Sequence, residues 1–205
     1  MSNNRPMTTR MLTLCALMAA LSIVLARIFG SMPNAFTRFS LEHIPIFISG
    51  MLCGPLAGGL VGFSADFVGC LFSGYGYNPI FCIPPILYGV FGGLLRIVLS
   101  RRTNIPRATE LIALIIAFLP PVILGSILYQ SATLAWVYGG EGSSFAANFV
   151  TRLTARSLQF AVTYVVDVLA VWMLCKANVF SVTHLWPPQK DTAVSKPTKR
   201  KEVSI

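Results

Sequence analysis

The chain has 205 residues, 55% of them hydrophobic and only 11% charged. A soluble globular domain carries roughly 25% charged residues, so the composition excludes that class and fits one compact integral membrane bundle. The formal net charge of +9 does not point to nucleic acid, because the basic residues sit beside apolar runs and in the tail, with no interleaved aromatics or recognised binding motif.

Apolar segments fall at roughly 8–29, 41–53, 55–74, 79–100, 109–138 and 146–176. They predict an all-α fold, an integral membrane six-helix bundle over residues 1–176, followed by a flexible basic tail over 177–205. The first segment is long enough to cross a bilayer, which takes about 20 residues. Arg5 and Arg10 precede it as in a signal peptide. No small-x-small cleavage site follows, and the run exceeds a usual signal core, so it reads as a retained helix. Its "CALMAALSIVLA" stretch puts Ala16 and Ala20 on one face. That pair is either ordinary helix packing or a smooth surface for a partner membrane protein.

The next stretch, "FTRFSLEHIPIF", carries Arg38, Glu42 and His43 between two apolar runs. The second segment is short and meets the third at Cys53-Gly54-Pro55, a tight turn. In "GPLAGGLVGFSAD", Gly54, Gly58, Gly62 and Asp66 recur every four residues and share a helix face. The glycines admit close helix approach. Asp66 is a carboxylate within an apolar segment, read either as a functional group or as a paired core residue.

Pro79, Pro84 and Pro85 make the start of the fourth segment irregular. Such backbone survives at membrane depth only where protein buries it or a cavity lies beside it, which places a site near residues 73–85. Phe36, Phe39, Tyr75, Tyr77 and Phe81 gather on the same outer loops, as interface anchors or as an aromatic-lined pocket. "GGEGSSF" at 139–145 reads as a flexible loop. In the sixth, "NFVTRLTARSLQF" places Arg152, Arg156 and Gln159 on one stripe. That stripe either snorkels to outer headgroups or faces an inward ligand. Asp167, deeper in the segment, has no assignment.

Twelve of the sixteen basic residues lie at or beyond the start of the first segment, around the junction of the fourth and fifth, or from the end of the sixth onward. With six spans these regions share one side, which the positive-inside rule makes cytoplasmic, along with both termini. The exceptions are Arg27, Arg38, Arg152 and Arg156, all near the outer face. Arginine's planar fork suits carboxylates and aromatic rings, so several outward arginines fit an anionic, aromatic ligand. The five cysteines lie in apolar stretches without a CxxC and read as small buried side chains. His43 and His184 lack metal-ligand spacing, so neither a metal site nor a cofactor is expected. No P-loop is present. "GFSAD" lacks a histidine base in the later segments to activate Ser64, so the chain does not read as an enzyme.

Together, the six segments, "CALMAAL", "RFSLEHIPIFISGMLCGPLAGGLVGFSAD" and the proline-broken "YNPIFCIPPILYG" resemble the S components of energy-coupling factor (ECF) vitamin transporters, over about residues 10–176. The folate-specific branch is the most similar, with Arg38, Gly54-Pro55, Asp66, Tyr77, Pro79 and Phe81 at matching positions. The chain departs from it at Ile80 and Cys82, where that branch commonly has glycine and threonine. The resemblance implies a prokaryotic plasma-membrane protein that takes folate from outside. It implies a transmembrane coupling subunit and two ATPases as partners, docking at Ala16 and Ala20, and release inside by toppling. Arg38, Arg152 and Arg156 would pair with carboxylates, Asp66 or Gln159 would bond the pterin edge, and Phe39, Tyr77 and Phe81 would stack. Rival readings are an S component for pantothenate, a thiamine precursor or a queuosine precursor, and a stand-alone secondary transporter.

Overall fold

Long apolar runs with few interior breakers dictate helices. The computed structural model describes residues 9–30, 41–72, 78–100, 107–137 and 144–177, and no strand occurs among them. In chain order these residues form α1 (Thr9–Gly30), α2 (His43–Cys53), α3 (Pro55–Leu71), a 3-10 turn (Pro79–Cys82), α4 (Ile83–Ser100), α5 (Arg107–Pro120), a π-helical stretch (Pro121–Tyr129), α6 (Gln130–Val137) and α7 (Phe145–Lys176). The α5–π–α6 run is one continuous rod, so the expected six helical rods are present. Residues beyond 177 in the expected tail, and residues 139–143 of the expected loop, lie outside the described residues.

Four rods are long and apolar enough to cross a membrane: Thr9–Ile28, Pro79–Ser100, Thr109–Val137 and Phe145–Lys176. The second and third are shorter than expected of spans, at 11 and 17 residues. At 1.5 Å per residue α2 reaches only about 16 Å, roughly half the hydrocarbon thickness. It is tolerated because protein surrounds it: nine of its residues are buried, from His43 to Leu52. Phe47 stacks on Phe118 of α5 with ring centroids 3.8 Å apart.

The fifth rod departs from the regular helix expected. Pro120 and Pro121 lack N–H donors and crowd the preceding turn, and the backbone after them widens to i→i+5 bonding. The start of α4 is irregular, as expected. Asn78 Oδ1 accepts from the Ile80 N–H at 3.2 Å and the Asn78 carbonyl from the Phe81 N–H at 3.1 Å, which winds the 3-10 turn.

Glycines hold α2, α3 and α4 backbone to backbone. A methyl group at Gly50 or Gly58 would land on the Gly89 carbonyl oxygen, one at Gly89 on the Gly58 carbonyl, and one at Gly62 on the Pro85 carbonyl. The expected glycine row therefore packs at Gly58 and Gly62. Gly54 does not belong to it: nothing lies within 4 Å of its would-be methyl, and its φ of 103° makes it a turn residue. The five cysteines carry free thiols. Cys15, Cys82 and Cys175 are buried, Cys53 and Cys70 half-buried.

Candidate functional site

Four rods of the bundle bring residues together into a closed ring of contacts. Arg156 of α7 points inward: its Nη1 donates to Gln130 Oε1 at 2.9 Å and to the Ser126 carbonyl at 3.3 Å. The Ser126 hydroxyl pairs with the Tyr88 hydroxyl of α4 at 3.2 Å. Tyr88 stacks flat on His43 of α2, centroids 4.0 Å apart and planes within 5°. His43 faces Phe160 of α7 at 6.5 Å. Phe160 closes the ring beneath the Arg156 guanidinium, 5.8 Å away, in cation–π geometry.

Beside this ring lies the proline-broken turn. Asp66 of α3 is half-buried, and its Oδ2 accepts from Cys82 Sγ at 2.7 Å. Cys82 is one of the two departures from the folate-branch pattern, and it supplies a hydrogen-bond donor to the carboxylate. Phe81, its neighbour, is half-buried on the same turn, which packs against α3, α4 and α6. Asp66 therefore meets the turn. The arrangement offers a cation, a carboxylate and stacked aromatic rings at one end of the bundle. That chemistry suits a planar ligand with acidic groups.

Arg152, Arg156 and Gln159 are all half-buried, while Thr154, Ala155, Ser157 and Leu158 between them are exposed. The stripe faces the protein, and Arg156 does not snorkel. Arg38, Phe39 and Tyr77 lie outside the described residues. Arg27 braces the fold: its Nη2 donates to the Gly69 carbonyl, tying α1 to the last turn of α3, where a cation also suits the helix dipole. Asp167 is buried, and neither of its carboxylate oxygens has a hydrogen-bond partner.

With this geometry, the family relationship is decided by one match. The family model described as "ECF transporter, substrate-specific component" matches residues 10–183. The chain belongs to that family. Among curated relatives, the folate transporter FolT of Clostridium novyi (strain NT) is 29% identical over 156 residues, covering 74% of this chain and 81% of the relative. Among solved structures, a crystal structure of FolT bound with folic acid superposes with a TM-score of 0.61 at 26% identity, covering 82% of this chain and 94% of that one. ThiT from Listeria monocytogenes superposes with a TM-score of 0.56 at 21% identity, covering 83% and 95%; that likeness concerns the fold alone.

As an ECF S component the chain is a multi-pass membrane protein and the substrate-binding part of a transporter. Five members of its contact ring do not stand out as site residues in the sequence: His43, Tyr88, Ser126, Gln130 and Phe160. The signal that could have found them is a polar or ring-bearing residue inside an apolar run. Gln130 and His43 carry that signal. Tyr88 and Phe160 are indistinguishable from the many aromatics of a membrane chain.

Proposed function

We propose that this S component captures folate from the outer side of a prokaryotic plasma membrane and delivers it inward with an ECF coupling subunit and two ATPases. The observation that carries the reading is the inward Arg156, held beside stacked aromatic rings, with Asp66 bonded to the turn that packs against α6. Folate joins a planar pterin, a benzoyl ring and a dianionic glutamate. The guanidinium fork suits a glutamate carboxylate, and Asp66 suits the donor edge of the pterin. Arg38, Arg152, Gln159, Phe39, Tyr77 and Phe81 complete the proposed set. Relatives of similar sequence and fold include a folate transporter and a folic-acid-bound FolT, which supports folate over other vitamins.

The docking surface is proposed at α1. Ala16 and Ala20 are exposed there, and Leu12, Leu17, Leu21 and Val24 around them are 44–63% exposed. A smooth apolar helix face permits close approach of another membrane helix. The test is calorimetric titration with folate, paired with uptake by cells that express the coupling subunit and ATPases. The wild type binds and transports folate. The Ala16→Trp, Ala20→Trp double variant binds folate normally and transports none. Wild-type protein that ignores folate while binding another vitamin removes the folate reading. Normal uptake by the double variant removes the docking face.

The orientation places both termini in the cytoplasm, from the distribution of basic residues. A cysteine introduced at Ser143, in the cysteine-free variant, is expected to react with a membrane-impermeant maleimide added to intact cells. Reaction only after permeabilisation reverses the topology.

A further inference from the structure

Asp167 takes no part in the ring of contacts, yet it is a carboxyl group in the middle of the bundle core. It is 1% exposed, and neither of its oxygens has a hydrogen-bond partner. It lies on the buried face of α7 with Phe160, Thr163 and Val171, three or four residues apart. A carboxylate only accepts hydrogen bonds, and the polar residue one turn earlier has none to give. Thr163 spends its hydroxyl hydrogen on the Gln159 carbonyl at 3.1 Å, so its oxygen is left with lone pairs alone. The titratable groups on the packed elements supply no counter-charge among the described residues. His43 of α2 is buried against two rings with its own Nδ1 unpartnered. Tyr88 of α4 shares its hydroxyl with Ser126, and Tyr164 of α7 itself gives its hydroxyl to the Ile115 carbonyl of α5. Tyr129 ends the π-helical stretch beside Gln130, at the level of Arg156. Glu110 of α5 lies by Cys175, eight residues further along α7. The charge that acts on Asp167 is that of Glu42, of its own sign. On α7, Arg156 is eleven residues away, about 16 Å along the axis. Lys176 is nine residues the other way, over the Trp172 ring.

We propose that Asp167 is a proton site: the folded bundle holds a proton on this carboxyl, and the neutral acid donates where Thr163 Oγ1 can only accept. An isolated ionised carboxylate is very costly in an apolar interior, and taking up a proton removes most of that cost. The proton is a second ligand, held whatever vitamin the outer site takes. An unfolded aspartate ionises above about pH 3.9, so over the neutral range the folded chain binds one proton more than the unfolded one. Stability from this group is then complete at acid pH and falls as pH rises. A carboxylate held by donors or by a cation would show the opposite sign. The charge on an ionised Asp167 is felt at Tyr88, so loss of the proton reaches the ring through the hydroxyl and the face that meet Ser126 and His43.

The experiment is infrared spectroscopy and thermal melting of the purified full chain, as wild type, Asp167→Asn and Asp66→Asn, between about pH 5 and about pH 9, where an unfolded aspartate is ionised. At neutral pH the wild type is expected to show a carboxylic-acid C=O stretch that Asp66→Asn keeps and Asp167→Asn lacks. The melting temperature of Asp167→Asn is expected to rise relative to wild type with increasing pH, by up to a tenfold change in the folding equilibrium per pH unit. The difference between the two proteins cancels every other titrating group they share. A wild type without that band, or one that gains stability over Asp167→Asn as pH rises, overturns the proposal. Asp167→Leu is the second neutral variant, and failure of both to assemble also overturns it, since a neutral side chain is what the site is argued to hold. Melting in sodium chloride against choline chloride tests the other occupant. A sodium-specific stabilisation of wild type that Asp167→Asn loses assigns the two oxygens to a metal cation and removes the proton.

Discussion

Arg156→Gln is expected to weaken folate binding roughly ten- to hundredfold in a protein that still folds. A hydrogen bond to a charged partner contributes about 1.5–3 kcal/mol, and each 1.4 kcal/mol is a factor of ten in affinity. The guanidinium is already aimed inward by Gln130 and Ser126, so little reorganisation dilutes the loss. Arg156→Lys restores the charge and is expected to recover only part of the affinity, because an ammonium lacks the planar fork. Arg38→Gln, titrated alongside, separates the two arginines: an additive double variant means they hold different groups of the ligand, a non-additive one means they share a carboxylate. Calorimetry on detergent-purified protein reads all of these. Folate affinity within about twofold of wild type in folded Arg156→Gln protein takes Arg156 out of the site.

Gly89→Val is expected to prevent the bundle from assembling. The added side chain meets the Gly58 carbonyl and the Gly59 backbone nitrogen, atoms that cannot rotate aside as a side chain does. Overpacking where side chains can move costs about 1–3 kcal/mol; here helix axes must part, and the cost is expected at or above about 3 kcal/mol, the upper end of that range. Total stabilities are about 5–15 kcal/mol, so a large share of the margin goes. The readout is the monodisperse fraction on size-exclusion chromatography and the melting temperature. Gly69→Ala is the matched control: nothing lies within 4 Å of its added methyl, and alanine favours a helix by about 1 kcal/mol. A Gly89→Val protein as stable as wild type would mean that the seam does not hold the three helices together.

Much of this molecule was legible because membranes impose simple rules. Apolar runs of the right length give the rods, and the glycine period gives the α2–α3–α4 contact at Gly58 and Gly62. The inward turn of Arg156 follows from the cost of pointing three polar residues of one stripe at lipid. The π-helical stretch was not legible. Pro120-Pro121 announces a disturbance, but whether a proline pair kinks a helix or widens it depends on the neighbours that donate to the displaced carbonyls. Here one such neighbour is Arg156, 30 residues further along. Gly54 misled for a related reason: a four-residue period cannot distinguish a glycine chosen for contact from one chosen for a positive φ. The pairing of Asp66 with Cys82 needed the turn geometry, since neither residue signals the other at a distance of 16 positions.

The glycine seam gives the bundle two mechanical halves. Between α2, α3 and α4 there is backbone where side chains would otherwise lie, so that half has few rotamers to exchange and moves as a block. The fifth rod and α7 are joined to it through hydroxyls and rings, contacts that slide and tilt at little expense. His43, Tyr88, Asp66 and Cys82 ride on the block; Arg156, Gln130, Ser126 and Phe160 ride on the compliant side. A ligand that touches both sets works as a rivet across the boundary. Under the folate reading, capture and stiffening are then one event, and the loaded protein is a more rigid body than the empty one.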